Sequence, residues 1–429
     1  MSPGGWPGTL SYDNARPTLA GALSKHRNTA KTVVFIVFYI SPRRQPRCHT
    51  KCHKCFAERV VRHAKFHAGR LAEGDLPVLT QLASRTLRAL GAAMFGGLLL
   101  VSAASAQDIT GAGATFPAPI YSTWGEDYAK SGGSRLNYQA IGSGAGVTQI
   151  INRTVDFGAS DSPVAKEKLE KENLLQFPAV IGAVVVVVNV PGVDGTKIRL
   201  TGDVLGDIYV GRVRMWNDPK ITALNPTLKL PQIPISPAYR ADSSGTTSIF
   251  TKYLSSVSPI FKERTGAGNA VAWRTGLGAP GNAGVAAAVK NIKGGIGYVE
   301  FAYAADNGMQ ALQLANKDGA FITPTVPSFL EAAAHADWEK AQNMAASMLN
   351  MPGAGSWPIV SPTFILVPRN AKDPARVQRV LKFVDWSFRN GAAAADRLHY
   401  IMLPPEVQDR VRQQWATLSL NGKPLWPAN

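Results

Sequence analysis

Five consecutive valines occupy residues 184–188, with Pro178 before them and Pro191 after. β-Branched side chains favour extended backbone, and an unbroken apolar run leaves no polar face for water. The run spans about a dozen residues, too few to cross a bilayer as a helix. It predicts a strand over 180–190 buried on both faces, and such strands belong to sheets covered by helices on either side. The surrounding sequence agrees. Short β-branched runs at 136–141, 296–300 and 363–367 alternate with amphipathic stretches from residue 107 onward, the pattern of an α/β chain. A helix is predicted over 374–390, where Val377, Val380, Leu381, Val384 and Phe388 share a face and Gly391 supplies a C-cap. Another is predicted over 405–415, with Val407, Val411 and Trp415 aligned.

The first 106 residues are a different object. The whole chain of 429 residues carries a net charge of +17. Fifteen of its 46 basic residues and four of its 29 acidic residues lie before residue 107, so this quarter contributes +11. All three cysteines and five of the seven histidines fall there too. The join reads Arg85-Thr-Leu-Arg88, an apolar stretch of 13 residues from Ala89 to Val101, then a small-residue site at Ala104 and Ala106. A basic segment, a short apolar run and a small-x-small site in that order predict a secretory signal over 76–106, cleaved after Ala106. A signal belongs at an N-terminus, so residues 1–75 are expected to be an over-called or non-structural extension. Cys48, Cys52 and Cys55 within it have a spacing that could converge on zinc or an iron–sulfur cluster. No alternation of strands and helices that would build an enzyme barrel follows them, so they are read as chance residues of that extension.

From residue 107 the chemistry gathers at four junctions where a strand, a Gly/Ser/Thr/Asp loop and a helix start follow one another. They are Thr110-Gly-Ala-Gly-Ala-Thr115-Phe116-Pro117, Ile141-Gly-Ser143-Gly-Ala-Gly, Phe157-Gly-Ala-Ser-Asp161-Ser-Pro163 and Tyr239-Arg240-Ala-Asp242-Ser-Ser244-Gly245-Thr246-Thr247. In this reading Pro117 takes a first helical position, Ser143 caps a helix over 147–153, Asp161 caps a third, and the last loop enters a helix over 248–253. Helix N-termini leave N–H groups unpaired and carry partial positive charge, and small residues let an anion reach them. Four together, with a single arginine, predict an oxyanion pocket built mainly from neutral dipoles.

As a set these junctions resemble the periplasmic phosphate-binding protein of bacterial phosphate ABC transporters. Gly111-Ala-Gly-Ala-Thr-Phe-Pro, Val155-Asp-Phe-Gly-Ala-Ser-Asp161, Arg240-Ala-Asp-Ser-Ser-Gly-Thr246 and Ile296-Gly-Tyr-Val-Glu carry the likeness, with Leu205-Gly-Asp-Ile-Tyr-Val-Gly, Trp357-Pro-Ile and Thr363-Phe-Ile-Leu in support. It covers essentially all of 107–429 and does not reach 1–75. The resemblance implies a two-lobed, type II-like periplasmic binding protein that binds inorganic phosphate with high affinity and delivers it to the permease subunits of an ABC transporter. A periplasmic monomer without cofactor or metal is expected. One lobe would comprise 107–187 with 360–429 and the other 188–359, joined by crossings near 188 and 360 and closing on the ligand by a hinge. The family's ligand positions fall on Thr115 and Phe116 (main-chain N–H, with the Thr115 hydroxyl), Ser143, Asp161, Arg240, Ser244, Gly245 and Thr246, with Asp242 supporting Arg240. Gly144 stands where a second serine is common and Ser243 where glycine is common.

Two of these residues carry a physical argument of their own. Arg240 can give forked, charge-assisted hydrogen bonds worth roughly 1.5–3 kcal/mol each. Asp161 is a carboxylate in an anion site, repulsive unless it accepts a proton. Phosphate at neutral pH has a proton to donate and sulfate has none, so Asp161 is the expected filter against sulfate.

Other classes fit less well. Gly276-Leu-Gly278-Ala-Pro-Gly281 has the spacing of a dinucleotide fingerprint, but Pro280 stands where the helix should open and no clear strand precedes it. Ser143 lacks the first glycine of a nucleophile elbow, and His335 and His399, read as helix-face residues, lie far from every junction loop, so no enzyme is expected. No metal-ligand cluster and no basic face for nucleic acid appears after residue 106. The remaining alternative is a binding protein for sulfate, molybdate or arsenate.

Overall fold

The computed structural model describes residues 108–420 and 423–427. The proposed extension over 1–75, the cysteine triplet, and the signal over 76–106 with its cleavage after Ala106 lie outside the described residues.

Two long strands organise the fold. β1 (Ile109–Gly113), β2 (Leu136–Ala140) and β3 (Phe157–Ser160) precede β4 (Leu174–Asn189), which is followed by β5 (Ser236–Arg240), β6 (Leu277–Ala279), β7 (Gly295–Glu300) and β8 (Ile359–Pro368). The sheet runs β2-β1-β3-β8-β4-β7-β5-β6, and the short strands Met348–Leu349 and Gln310–Ala311 pair with β8 and β4. β1 lies parallel to β2 and β3, while β5 lies parallel to β6 and β7. β4 and β8 connect these two parallel halves. Residues 174–183 of β4 run antiparallel to β8, and from Val184 the strand changes partner to β7. The two lobes thus share one sheet, and β4 changes partner between Ala183 and Val184. Val184 to Val188 are all buried, as a strand covered on both faces requires.

β4 extends well beyond the predicted 180–190, because Pro178 lies inside it rather than at its boundary. Proline has no N–H for the ladder. The register between β4 and β8 slips at this point: Thr363 faces Val180, and Phe364 faces Pro178. This bulge accommodates the proline and re-aims β8 at Thr363.

Helices cover the sheet and set the junctions. α1 (Ala118–Lys130) follows β1, α2 (Ser143–Ile151) follows β2, α3 (Gly245–Val257) follows β5 and α4 (Gly281–Asn291) follows β6. α5 (Pro374–Asn390) and α6 (Pro405–Trp415) have the predicted limits. Asp373 caps α5 through the Ala375 N–H, and Val377, Val380, Leu381, Val384 and Phe388 are buried on its inner face. Gly391 ends α5 in right-handed geometry (φ −85°), so glycine's left-handed freedom is not what stops this helix. His335 follows the helix Val326–Ala334, and His399 has φ 64° and packs edge-on against Phe301, so neither is the helix-face residue that the sequence implied. Among the described residues no helix is long and apolar enough to cross a membrane, and no group of His, Cys, Asp or Glu is placed to hold a metal.

Candidate anion site

α1, α2, α3 and α4 all begin at the carboxyl ends of parallel strands, two in each lobe, and their N-termini converge where the halves of the sheet meet. Crevices at such strand ends are the usual ligand sites of α/β folds.

In the first lobe, Thr115 and Phe116 lie between β1 and α1, and both are buried. Pro117 takes the capping position, so α1 begins one residue later than Pro117 itself predicts. The N–H groups of Thr115 and Phe116 have no partner among the described residues. Their carbonyls are held from the far side: Tyr303 donates to Thr115 O at 2.7 Å, and Tyr400 to Phe116 O at 2.6 Å.

Ser143 is the first residue of α2, not its cap. Gly142 occupies the cap with φ 94°, a conformation that only glycine adopts easily, and this turn points Ser143 inward. Its hydroxyl oxygen accepts the Gly245 N–H at 3.0 Å, across the lobes, and the Asp161 N–H at 3.3 Å.

Asp161 caps no helix. The chain after β3 stays irregular until Lys166–Lys171, whose capping position is Ala165. The Asp161 carboxylate is therefore free for the cleft. Oδ1 accepts the Thr363 hydroxyl at 2.8 Å, where the β8 bulge aims it, and Oδ2 lies 3.5 Å from the Thr246 hydroxyl. Burial raises the Asp161 pKa to about 7, against the opposing pull of the Thr363 hydrogen bond, the Arg240 charge and Thr246.

In the second lobe, Arg240 ends β5 and is almost fully buried. Asp242 grips it in a fork: Nε donates to Oδ1 at 2.8 Å and Nη2 to Oδ2 at 2.5 Å, while Nη1 reaches the Thr246 hydroxyl at 3.2 Å. Burial pushes the Asp242 carboxyl up, but the Arg240 hydrogen bonds and charge outweigh it and leave the group below its ordinary value. Asp242 Oδ1 also accepts the Gly281 N–H at 3.0 Å, which ties α4 to the same loop. Ser244 caps α3 by accepting the Thr247 N–H at 3.1 Å. That helix starts at Gly245, three residues before the predicted 248.

The eight predicted ligand positions and Asp242 thus lie within one buried constellation. It contains one arginine, one carboxylate facing the cleft, four threonine or serine hydroxyls at strand-to-helix junctions, and unpaired N–H groups at Thr115, Phe116, Ser143 and Thr246 among the described residues. A cavity of about 250 Å³ lies at its edge, lined by Thr115, Asp242 and Asn282 among others. A larger cavity of about 500 Å³ lies elsewhere, beside Asp156 and Arg376, but those two charges pair with each other.

Sequence reasoning missed several members. Thr363 holds Asp161 from a strand that reads as plain core. Asn282, fully buried, donates to the Thr115 and Thr246 hydroxyls. The signal for it was present in Gly276–Gly281: no strand precedes this stretch, but β6 lies within it, and α4 opens at Gly281 with Pro280 as its cap. The junction is a strand-to-helix turn after all, aimed at the cleft. Glu300, also fully buried, accepts from Ala302 N and contacts the Tyr400 hydroxyl at 2.9 Å. Burial holds its carboxyl well above the usual range.

Two lobes on a shared sheet, with a buried ring of donors between them, define a two-lobed solute-binding protein. The sequence profile of the PBP superfamily domain matches residues 101–390. The Phosphate-binding protein PstS of Pasteurella multocida is 48% identical over 323 residues, covering 75% of this chain and 94% of that protein. That of Haemophilus influenzae is 46% identical over 314 residues, 73% and 94% of the two chains. Among solved structures, a high-affinity periplasmic phosphate-binding protein (PfluDING) bound with phosphate has a TM-score of 0.59 at 20% identity, covering 74% of this chain and 96% of that one. A putative phosphate ABC transporter substrate-binding protein from Clostridium perfringens has a TM-score of 0.51 at 16% identity, covering 70% and 100%. The chain belongs to the PBP superfamily and, within it, to the PstS family of phosphate-binding proteins.

Proposed function

We propose that this protein binds one inorganic phosphate between its lobes and delivers it to the membrane permease of a phosphate ABC transporter. In this reading Thr115, Phe116, Ser143, Asp161, Arg240, Ser244, Gly245 and Thr246 are the ligands, and Asp242 sets the arginine fork. The observation that carries it is the buried ring of unpaired N–H groups and hydroxyls around Arg240 and Asp161. Donors without partners in a dry site need an acceptor, and a tetrahedral oxyanion supplies several. Asp161 demands that this oxyanion bring a proton, which selects phosphate over sulfate. The names of the PstS relatives support the same ligand.

Residues 107–187 with 360–429 form one lobe in this reading, and 188–359 form the other. The lobes part to admit the anion, and the closed form docks on the permease. The segment over 76–106 exports the chain to the periplasm and is cleaved after Ala106. Mass spectrometry of the natural protein tests this last point: a mature N-terminus at Gln107 is expected, and peptides from residues 1–70 would refute it. Titration calorimetry tests the ligand, with phosphate expected to bind and sulfate not.

A further inference from the structure

Asn282 is the second residue of α4, and its amide is oriented without ambiguity. Oδ1 accepts the Glu300 N–H at 3.0 Å. A main-chain N–H can only donate, so this bond fixes which end of the amide is oxygen. The Nδ2 end then faces two hydroxyls, Thr115 of the first lobe at 2.8 Å and Thr246 of the second at 3.3 Å. The Asn282 N–H also points at the Thr115 hydroxyl oxygen, at 3.3 Å.

An amide NH₂ has hydrogens to give and no lone pair to offer. Both hydroxyl oxygens must therefore receive from Asn282, and each must send its own proton elsewhere. For Thr246, which also receives from Arg240, the acceptor at hand is Asp161 Oδ2 in the cleft. For Thr115 no acceptor exists among the described residues, so its proton is left for a ligand.

We propose that Asn282 is a positioning residue that sets specificity by locking the Thr115 and Thr246 hydroxyls as donors toward the cleft. A freely turning hydroxyl can accept as well as donate, and could satisfy a protonated or an unprotonated oxygen alike. With both hydroxyls locked, Asp161 becomes the acceptor that a protonated oxyanion must find. Asn282 thus sharpens the discrimination that Asp161 makes. The inference rests on the phosphate reading of this cleft.

The test is a double-mutant cycle read by phosphate calorimetry on the wild type, Asn282→Leu, Thr115→Val and the double variant, each with its thermal midpoint. Asn282→Leu is expected to weaken phosphate binding by about 10- to 100-fold, the range for losing an oriented buried donor. In the Thr115→Val background the same change should cost only a few-fold, about threefold at most, because the hydroxyl it acts through is gone and Thr246 keeps its Arg240 donor. Equal losses in both backgrounds would overturn the role.

Asn282→Asp provides a second arm that keeps the Glu300 N–H bond and so preserves the fold. Its second oxygen draws both hydroxyl protons away from the cleft once ionised. Its phosphate affinity relative to wild type should fall as pH rises from about 5 to 8, the range in which a buried carboxyl titrates. A ratio constant with pH would also overturn the proposal. Failure of the wild type to bind phosphate would refute the phosphate reading itself, whereas wild-type binding with additive losses refutes only the role of Asn282.

Discussion

Gly144 and Ser243 face each other across the lobes, and this contact yields a quantitative prediction. The Gly144 N–H donates to Ser243 O at 3.0 Å. A methyl group at Gly144 would stand 2.2 Å from Ser243 Oγ and 2.6 Å from Ser243 Cβ. Rotating the serine side chain moves Oγ away, but Cβ is fixed to the backbone and cannot yield. Overpacking of this kind costs about 1–3 kcal/mol. Because the clash exists only when the lobes are together, Gly144→Ala should weaken phosphate binding about 5- to 150-fold, the same energies expressed as a ratio. Ser243→Gly removes both clashing atoms and leaves Ser243's carbonyl oxygen, now glycine's, 3.5 Å from the new methyl, an ordinary contact. The double variant Gly144→Ala/Ser243→Gly should therefore recover most of the affinity. Thermal unfolding supplies a control. Alanine is the better helix former within α2 by about 0.5–1 kcal/mol, so ligand-free Gly144→Ala, with its lobes free to part, should melt no lower than wild type. Calorimetry on the four proteins decides the matter. Additive losses, with no rescue in the double variant, would refute the reasoning.

Three further outcomes follow from the site. Arg240→Lys keeps the charge but loses the forked grip of Asp242, so phosphate affinity should fall by about 10- to 100-fold; an unchanged dissociation constant in calorimetry would contradict the role of the fork. Thr363→Val removes a hydrogen bond that lowers the Asp161 pKa, so the carboxyl should need a higher pH than about 7 to ionise. Phosphate affinity of that variant should be reduced at neutral pH and recover in alkali, and a profile superimposable on wild type would count against it. The Glu300 pKa is raised in the folded state, so the unfolded chain releases this proton first and stability falls as pH rises above its unfolded value. Glu300→Gln should flatten that part of a pH–stability curve measured by urea unfolding, and two parallel curves would exclude Glu300 as its source.

The α/β class was legible because burial on both faces leaves an unmistakable valine run, and the limits of α5 and α6 followed from amphipathic spacing. The extent of β4 was not, since Pro178 normally ends a strand and only its partner's bulge at Thr363 shows why it does not here. The ligand loops stood out because anion-binding turns need small and hydroxyl residues close together in sequence. Their local geometry was less legible. Gly142 displaces Ser143 from the capping position, and Asp161 caps no helix, because the next one begins only at Lys166. The supporting residues were hidden for another reason. Asn282 and Thr363 act on Thr115 and Asp161 from far along the chain, where one polar residue in a helix or strand carries no local mark of its purpose.

The central claim is that Asp161 accepts a proton from the bound oxyanion and excludes ligands that have none. Titration calorimetry of phosphate and sulfate against wild type and Asp161→Asn tests it most directly. Asparagine at this position can donate to an unprotonated oxygen, so the variant should gain sulfate binding and lose its preference for phosphate, while the wild type binds phosphate alone. Sulfate binding by the wild type as tight as phosphate binding, or an undiminished phosphate preference in Asp161→Asn, would contradict the account.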